Sequence, residues 1–185
     1  MSALHGRYKA LLAMHKDLNL YQVRYWNLLK ELKAQVTYLH AYAASDELFD
    51  KSVNIFLAVT SSASIAGWAM WNEYQLIWAC IIAASQVVTA VKPFLPFRKR
   101  LKAVSDLNTQ IQAIFLEAET GWYKVAEGCI TEEEIHHETV RLKGRVLSAE
   151  RSCMNGLVLP RKRKLKEIAE TAADEYFTVN YLGEA

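Results

Sequence analysis

VNIFLAVTSSASIAGWAMW, residues 53–71, and QLIWACIIAASQVVTAV, residues 75–91, decide how this chain is read. Between Lys51 and Lys92 the only charged residue is Glu73, which lies with Asn72 and Tyr74 between the two apolar segments. As helices, nineteen residues span roughly 28 Å and seventeen roughly 25 Å. A bilayer core is about 30 Å thick, and about 17–25 apolar residues suffice to cross it. The spacing therefore predicts a transmembrane hairpin, 53–71 and 75–91, turned at 72–74. The block begins after 52 residues with no short cleavable pattern before it, which argues against a signal peptide.

Charge and aromatic placement outside the block agree with that expectation. Seven Lys and Arg precede residue 53, fifteen follow residue 91, and none lies between. Flanks rich in Lys and Arg stay on the cytoplasmic side, so both termini are expected inside. Arg98, Lys99, Arg100 and Lys102 form the strongest stop signal. Trp68, Trp71, Tyr74 and Trp78 cluster at the turn, where rings with one polar atom suit a headgroup layer. The opposing reading is a buried hairpin in a soluble helical bundle, which Asn54, Thr60, Ser61, Ser62 and Ser64 favour by diluting the first segment.

The flanks carry a helical pattern. No Gly or Pro occurs from Arg7 through Ala66, so nothing breaks a helix before the apolar block. Leu11, Leu18, Tyr25, Leu32 and Leu39 repeat every seven residues, with Met14, Tyr21, Leu28, Gln35 and Tyr42 between them. Such a stripe is of the coiled-coil type. Beyond KPFLPFRKR, where Pro93 and Pro96 interrupt the helix, it resumes as Leu101, Asn108, Phe115 and Trp122 with Val104, Ile111, Ala118 and Val125. A tight hairpin returns the second stripe beside the first, which predicts an antiparallel stalk. Gly121 and Gly128 are expected to loosen it. Thr131 and Glu134 form a capping-box pattern that starts a further helix, with Ile135, Leu142, Val146 and Ala149 inward. Asn155-Gly156 ends it, and Pro160 opens a last helix with Leu165, Ile168, Ala172 and Tyr176 inward.

The expected fold class is thus all-α: a two-helix transmembrane hairpin with long cytoplasmic helices in an antiparallel, coiled-coil-like stalk. The expected divisions are 1–52, an amphipathic N-terminal helix; 53–91, the hairpin; and 92–185, a C-terminal helical region. With 185 residues, 52% of them hydrophobic, and a net charge of +2, the chain is neither a disordered tail nor basic enough to imply nucleic-acid binding. Cys80, Cys129 and Cys153 are too widely spaced for a disulfide framework or a zinc site. His136 and His137 beside Glu132, Glu133 and Glu134 point to different helix faces and read as a solvated surface. No nucleophile, phosphate-loop or redox motif is present, so no enzyme activity and no cofactor or metal are expected.

Polar residues within the apolar segments are the candidate functional positions. At 100° per residue, Asn54 and Ser61 share a face with Ser64 nearby, and Ser85, Gln86 and Thr89 share an arc on the second segment. Such groups face another helix or water, as glue within one hairpin or as the lining of a leak path in an oligomer. Ala58, Ser62 and Ala66, with Ala79 and Ala83, place small residues where helices could approach closely. Arg98, Lys99 and Arg100, and the run Arg161, Lys162, Arg163 and Lys164, are candidate contacts for a partner or for lipid heads. Direct nucleic-acid binding by that run is the weaker reading.

Residues 86–102, QVVTAVKPFLPFRKRLK, following a long N-terminal helix, two close apolar segments and an aromatic turn, resemble the SLATT group of two-helix membrane effectors and similarly built retron-associated effectors. The resemblance implies a bacterial anti-phage effector in the inner membrane. It would permeabilise or depolarise that membrane when a partner releases or activates it. Self-association is implied, since two helices cannot enclose a pore. So is a regulator encoded nearby, either a reverse transcriptase with its RNA/DNA or a nucleotide-signal synthase. The alternative is a non-conducting, membrane-anchored coiled-coil scaffold that recruits a cytoplasmic partner.

Overall fold

The computed structural model describes residues 19–70, 75–92 and 97–181, and the side chains of these except 62–70, 75, 78, 97 and 98. Every regular element among them is an α-helix: α1 (Leu20–Met70), α2 (Gln75–Val91), α3 (Phe97–Ala126), α4 (Glu132–Met154) and α5 (Arg163–Tyr181). The chain divides into two compact units, Met1–Tyr42 with Ala103–Ala185, and Ala43–Lys102. The heptad positions before Asn19, the 72–74 turn and the Pro93–Pro96 bend lie outside the described residues.

In the first unit, α1 and α3 pair antiparallel. Gln22 Nε2 donates to the Val125 carbonyl at 2.8 Å, and Tyr25 Oη donates to the Ala118 carbonyl at 3.0 Å. The expected stripes supply the seam: Tyr25, Leu28, Leu32, Leu39 and Tyr42 meet Val104, Ile111, Phe115, Ala118, Trp122 and Val125, all buried. Trp26 and Leu29 are also fully buried, because α1 is covered on more than one side. The α4 helix binds one flank, where Gln35 Nε2 reaches Glu150 at 3.1 Å and Glu117 of α3 pairs with Arg141 and Arg145. The α5 helix binds the other, where Phe177 meets Trp26 at 4.9 Å and Lys30 pairs with Asp174 at 2.5 Å. A seam contacted from one side needs only a narrow stripe; one flanked by two helices needs a broad one.

The helix ends follow local chemistry. The Thr131 side chain accepts from the Glu134 amide, and Glu134 accepts from the Thr131 amide at 2.7 Å, so the capping box forms. Hydrogen bonds from the Thr131 amide and hydroxyl hold the Glu134 carboxyl below its ordinary range. Asn155 ends α4 with φ 38°, followed by Gly156 at φ 83°. Both are left-handed conformations that Asn and Gly tolerate best. Pro160 lies in a non-helical stretch and α5 starts only at Arg163, so the expected start is three residues early.

Three readings are corrected. First, α5 is rotated by one residue from the expected face: Ala169, Ala173, Phe177 and Thr178 are buried, while Ile168 is 58% exposed. Seating Phe177 beside Trp26 turns the helix by about 100°, and Tyr176 then donates to Glu119 at 2.6 Å. Second, Gly121 does not loosen α3. A methyl group there would overlap the Tyr25 hydroxyl, so its absence admits the Tyr25–Ala118 bond. Third, among the described residues no helix is long and apolar enough to cross a membrane. The α2 helix has seventeen residues, and α1 is interrupted by Asn54, Thr60 and three serines where it is most apolar. The transmembrane hairpin and the inner-membrane placement with cytoplasmic termini are therefore withdrawn.

Two outcomes follow. Gly to Ala in a helix with free space gains about 0.5–1 kcal/mol, whereas overpacking costs about 1–3 kcal/mol. Gly121→Ala should therefore lower the denaturant midpoint, and adding Tyr25→Phe should restore part of it; a raised midpoint in Gly121→Ala alone would contradict the close approach. Burial first, then the nearby Glu138, pushes the Tyr25 phenol up to about 12, and burial with the Glu119 bond pushes Tyr176 up to about 12. Unfolded tyrosine ionises near pH 10, so the folded state holds more protons above that pH. Stability should be full below about pH 10 and fall as pH approaches 12, less steeply in Tyr25→Phe; equal slopes in the two proteins would count against the buried hydroxyl.

Candidate functional site: an apolar two-helix hairpin

The second unit, Ala43–Lys102, pairs the C-terminal part of α1 with α2 and the start of α3. Two polar contacts set its register. Lys92 Nζ donates to Asn54 Oδ1, and Arg100 lies 4.0 Å from Asp46. The residue numbers of both pairs sum to 146, as expected for an antiparallel arrangement. Asp46 and Arg100 are 11% and 24% exposed, shielded enough for a mispaired register to leave charges uncompensated. Thr60 and Ser85, whose numbers sum to 145, are both buried at that level.

The polar residues satisfy themselves locally. Thr60 donates to the Phe56 carbonyl at 2.9 Å, Ser85 to Ile82 at 2.8 Å, Thr89 to Ser85 at 2.8 Å, and Ser61 to Leu57. Back-bonding of this kind removes the need for a polar partner on another helix. Asn54 is exposed and also donates to Asp50 Oδ2 at 3.0 Å. Gln86 is exposed and has no hydrogen-bond partner among the described residues. The expected polar face thus separates into hydroxyls bonded to their own helix, of which Ser85 is buried and Ser61 and Thr89 are exposed, and two exposed amides. Of the small residues, Ala58, Ala79 and Ala83 are exposed rather than packed in a seam within the chain, and so is Cys80. The side chains of Ser62, Ser64, Ala66, Trp68, Trp78 and Arg98 lie outside the described residues.

The hairpin presents large apolar side chains along one face of each helix. Leu48, Phe49, Ile55, Phe56 and Val59 of α1 are 42–65% exposed, and Leu76, Ile77, Val87 and Val91 of α2 are 46–78% exposed. A contiguous exposed apolar face of this kind marks a surface that is covered by something in its working state. At the base, Glu47 pairs with Lys51 at 2.7 Å, and that bond holds the Glu47 carboxyl below its usual range. Lys99 is exposed. In the first unit, Arg161 and Lys164 are exposed, Arg163 pairs with Glu167, and Lys162 Nζ sits 4.3 Å over the Tyr42 ring. His136 lies edge-on to Tyr21, and His137 is 3.8 Å from Glu133.

No family model, curated protein or solved structure matches this chain.

Sequence reasoning missed three features. The Asp46–Arg100 pair joins residues 54 apart, and only the 146 register reveals it. Glu119 accepts from both Tyr176 and Tyr181, the latter at 3.0 Å, so a charged residue anchors α5. Thr60 is buried among residues that suggested a lipid-facing surface.

The register is directly testable. In a chain with its three cysteines replaced by Ser, Asn54→Cys with Lys92→Cys should crosslink rapidly under mild oxidation. Asn54→Cys with Val87→Cys should crosslink far more slowly; equal rates would contradict a fixed pairing.

Proposed function

We propose that this chain is a lipid-perturbing effector whose apolar hairpin enters the hydrocarbon of a bilayer without any single helix bridging the two headgroup layers. The observation that carries the reading is the half-exposed apolar surface on both helices of the second unit. Covering a large apolar side chain is worth about 1.5–3 kcal/mol, so lipid contact is strongly favoured once a bilayer is within reach. A hairpin wedged part-way into one leaflet displaces lipid there and disturbs its packing, which weakens the barrier. The exposed amides of Asn54 and Gln86 would draw water along with them. The resemblance of residues 86–102 to two-helix defence effectors supplies the biological setting: damage to a bacterial membrane upon release or activation by a partner. In that setting several copies act together, under a reverse transcriptase or a nucleotide-signal synthase encoded nearby.

One observation favours a second reading, a non-leaking scaffold that recruits a partner. Leu116 and Tyr123, two turns apart on α3, are 54% and 70% exposed and offer an apolar strip on the first unit.

Release of a trapped dye from vesicles separates the two. The full chain should release dye, and Ile55→Asp with Val87→Asp should reduce release by more than tenfold, since a charge in hydrocarbon costs about 2.5–3.5 kcal/mol. Leu116→Asp with Tyr123→Asp should leave release unchanged. Absence of release by the wild type, or equal release by the hairpin variant, would overturn the effector reading.

A further inference from the structure

The segment LVLPRKRKLK, residues 157–166, joins α4 to α5 and carries five positive charges with no acid before Glu167. It is non-helical up to Lys162, and Val158 is 84% exposed there, more than any other large apolar side chain described. The Lys162 amide donates to the Tyr38 hydroxyl at 3.3 Å, and its ammonium lies over the Tyr42 ring. These two contacts pin the middle of the segment to α1. Arg161 and Lys164, on either side, are exposed and meet no carboxylate among the described residues. Arg163 and Lys166 pair with Glu167 and Glu170, but with side chains 93% and 68% exposed these bonds exchange readily with another anion. The first turn of α5 holds no acidic residue, so the basic run adds to the positive end of the helix and favours an anion there.

We infer that this segment is a docking patch for the surface of a bilayer rich in anionic phospholipid. Charge complementarity selects a polyanion, and Val158 selects among polyanions. A phosphodiester strand gives an isolated exposed valine nothing to bind, whereas a lipid interface takes the cations at its headgroups and the valine below them. The inference names the lipid class for the reading above and rests on it for the choice of a bilayer. It places the contact on a different unit, however, and can fail separately. An apolar insertion and a basic patch are the two signals that together give stable attachment where either alone is reversible.

The test is cosedimentation of the full chain with vesicles of phosphatidylcholine alone or mixed with phosphatidylglycerol, at low and high salt. Phosphatidylglycerol should tighten binding more than tenfold at low salt, and the gain should vanish at high salt. Arg161→Gln with Lys164→Gln should lose on the order of thirtyfold of affinity for the mixed vesicles, leaving binding to phosphatidylcholine unchanged. Val158→Ser should weaken binding to the mixed vesicles severalfold at either salt. Both changes lie on exposed side chains, and an unchanged melting temperature verifies the fold. An undiminished phosphatidylglycerol preference in the double Gln variant would overturn the patch, as would RNA that displaces the protein from mixed vesicles at equal phosphate concentration. Loss of preference with dye release from phosphatidylcholine vesicles intact supports it. Binding to mixed vesicles that persists without dye release would sink the effector reading alone.

Discussion

The approach of Tyr25 to the backbone of α3 is the constraint from which the first unit follows. Its hydroxyl reaches the Ala118 carbonyl only because Gly121 lacks a side chain. That contact sets the axial position of α1 against α3 and brings Trp122 within 4.9 Å of Trp26. The Trp26 indole is then the surface on which Phe177 and Tyr181 of α5 rest, at 4.9 and 5.4 Å. On the opposite flank, Glu117 engages Arg141 and Arg145, and Glu138 engages Arg141 as well. The Arg141 bond holds the Glu138 carboxyl below its ordinary range. Apolar burial supplies most of the driving force, and the polar contacts at its edges choose one arrangement among several of similar burial.

The second unit is built on a different balance. Its helices are kept in register by Asn54–Lys92 and Asp46–Arg100, and its hydroxyls are bonded to their own backbones. Large apolar side chains of both helices remain exposed. Covering them is the free-energy source of the proposed activity. Tight internal packing would have removed that source.

Much of the helical order was legible because period and punctuation agreed. The stripe from Tyr25 to Tyr42, the capping box at Thr131 and the stop at Asn155-Gly156 each combine a local rule with a tertiary result. What failed had tertiary causes. Ala169 and Ala173 look no more inward than Ala172 until Phe177 finds its place between the rings of Trp26 and Tyr181. Gly121 reads as a helix weakener until the Tyr25 hydroxyl is placed beside it. The membrane-crossing expectation treated 53–71 as one apolar unit, although Thr60 is buried and Asn54 is engaged with Asp50 and Lys92. Apolar periodicity reports that a surface must be covered, and it leaves the depth of that cover undetermined.

Hydrogen exchange along the full chain, with and without vesicles, tests the central claim most directly. Amides of residues 53–61 and 76–91 should gain protection when vesicles are added, while those of α4 and the buried part of α3 stay as they were. Unchanged exchange in the hairpin, or a gain spread evenly over both units, would contradict a hairpin that takes its cover from lipid.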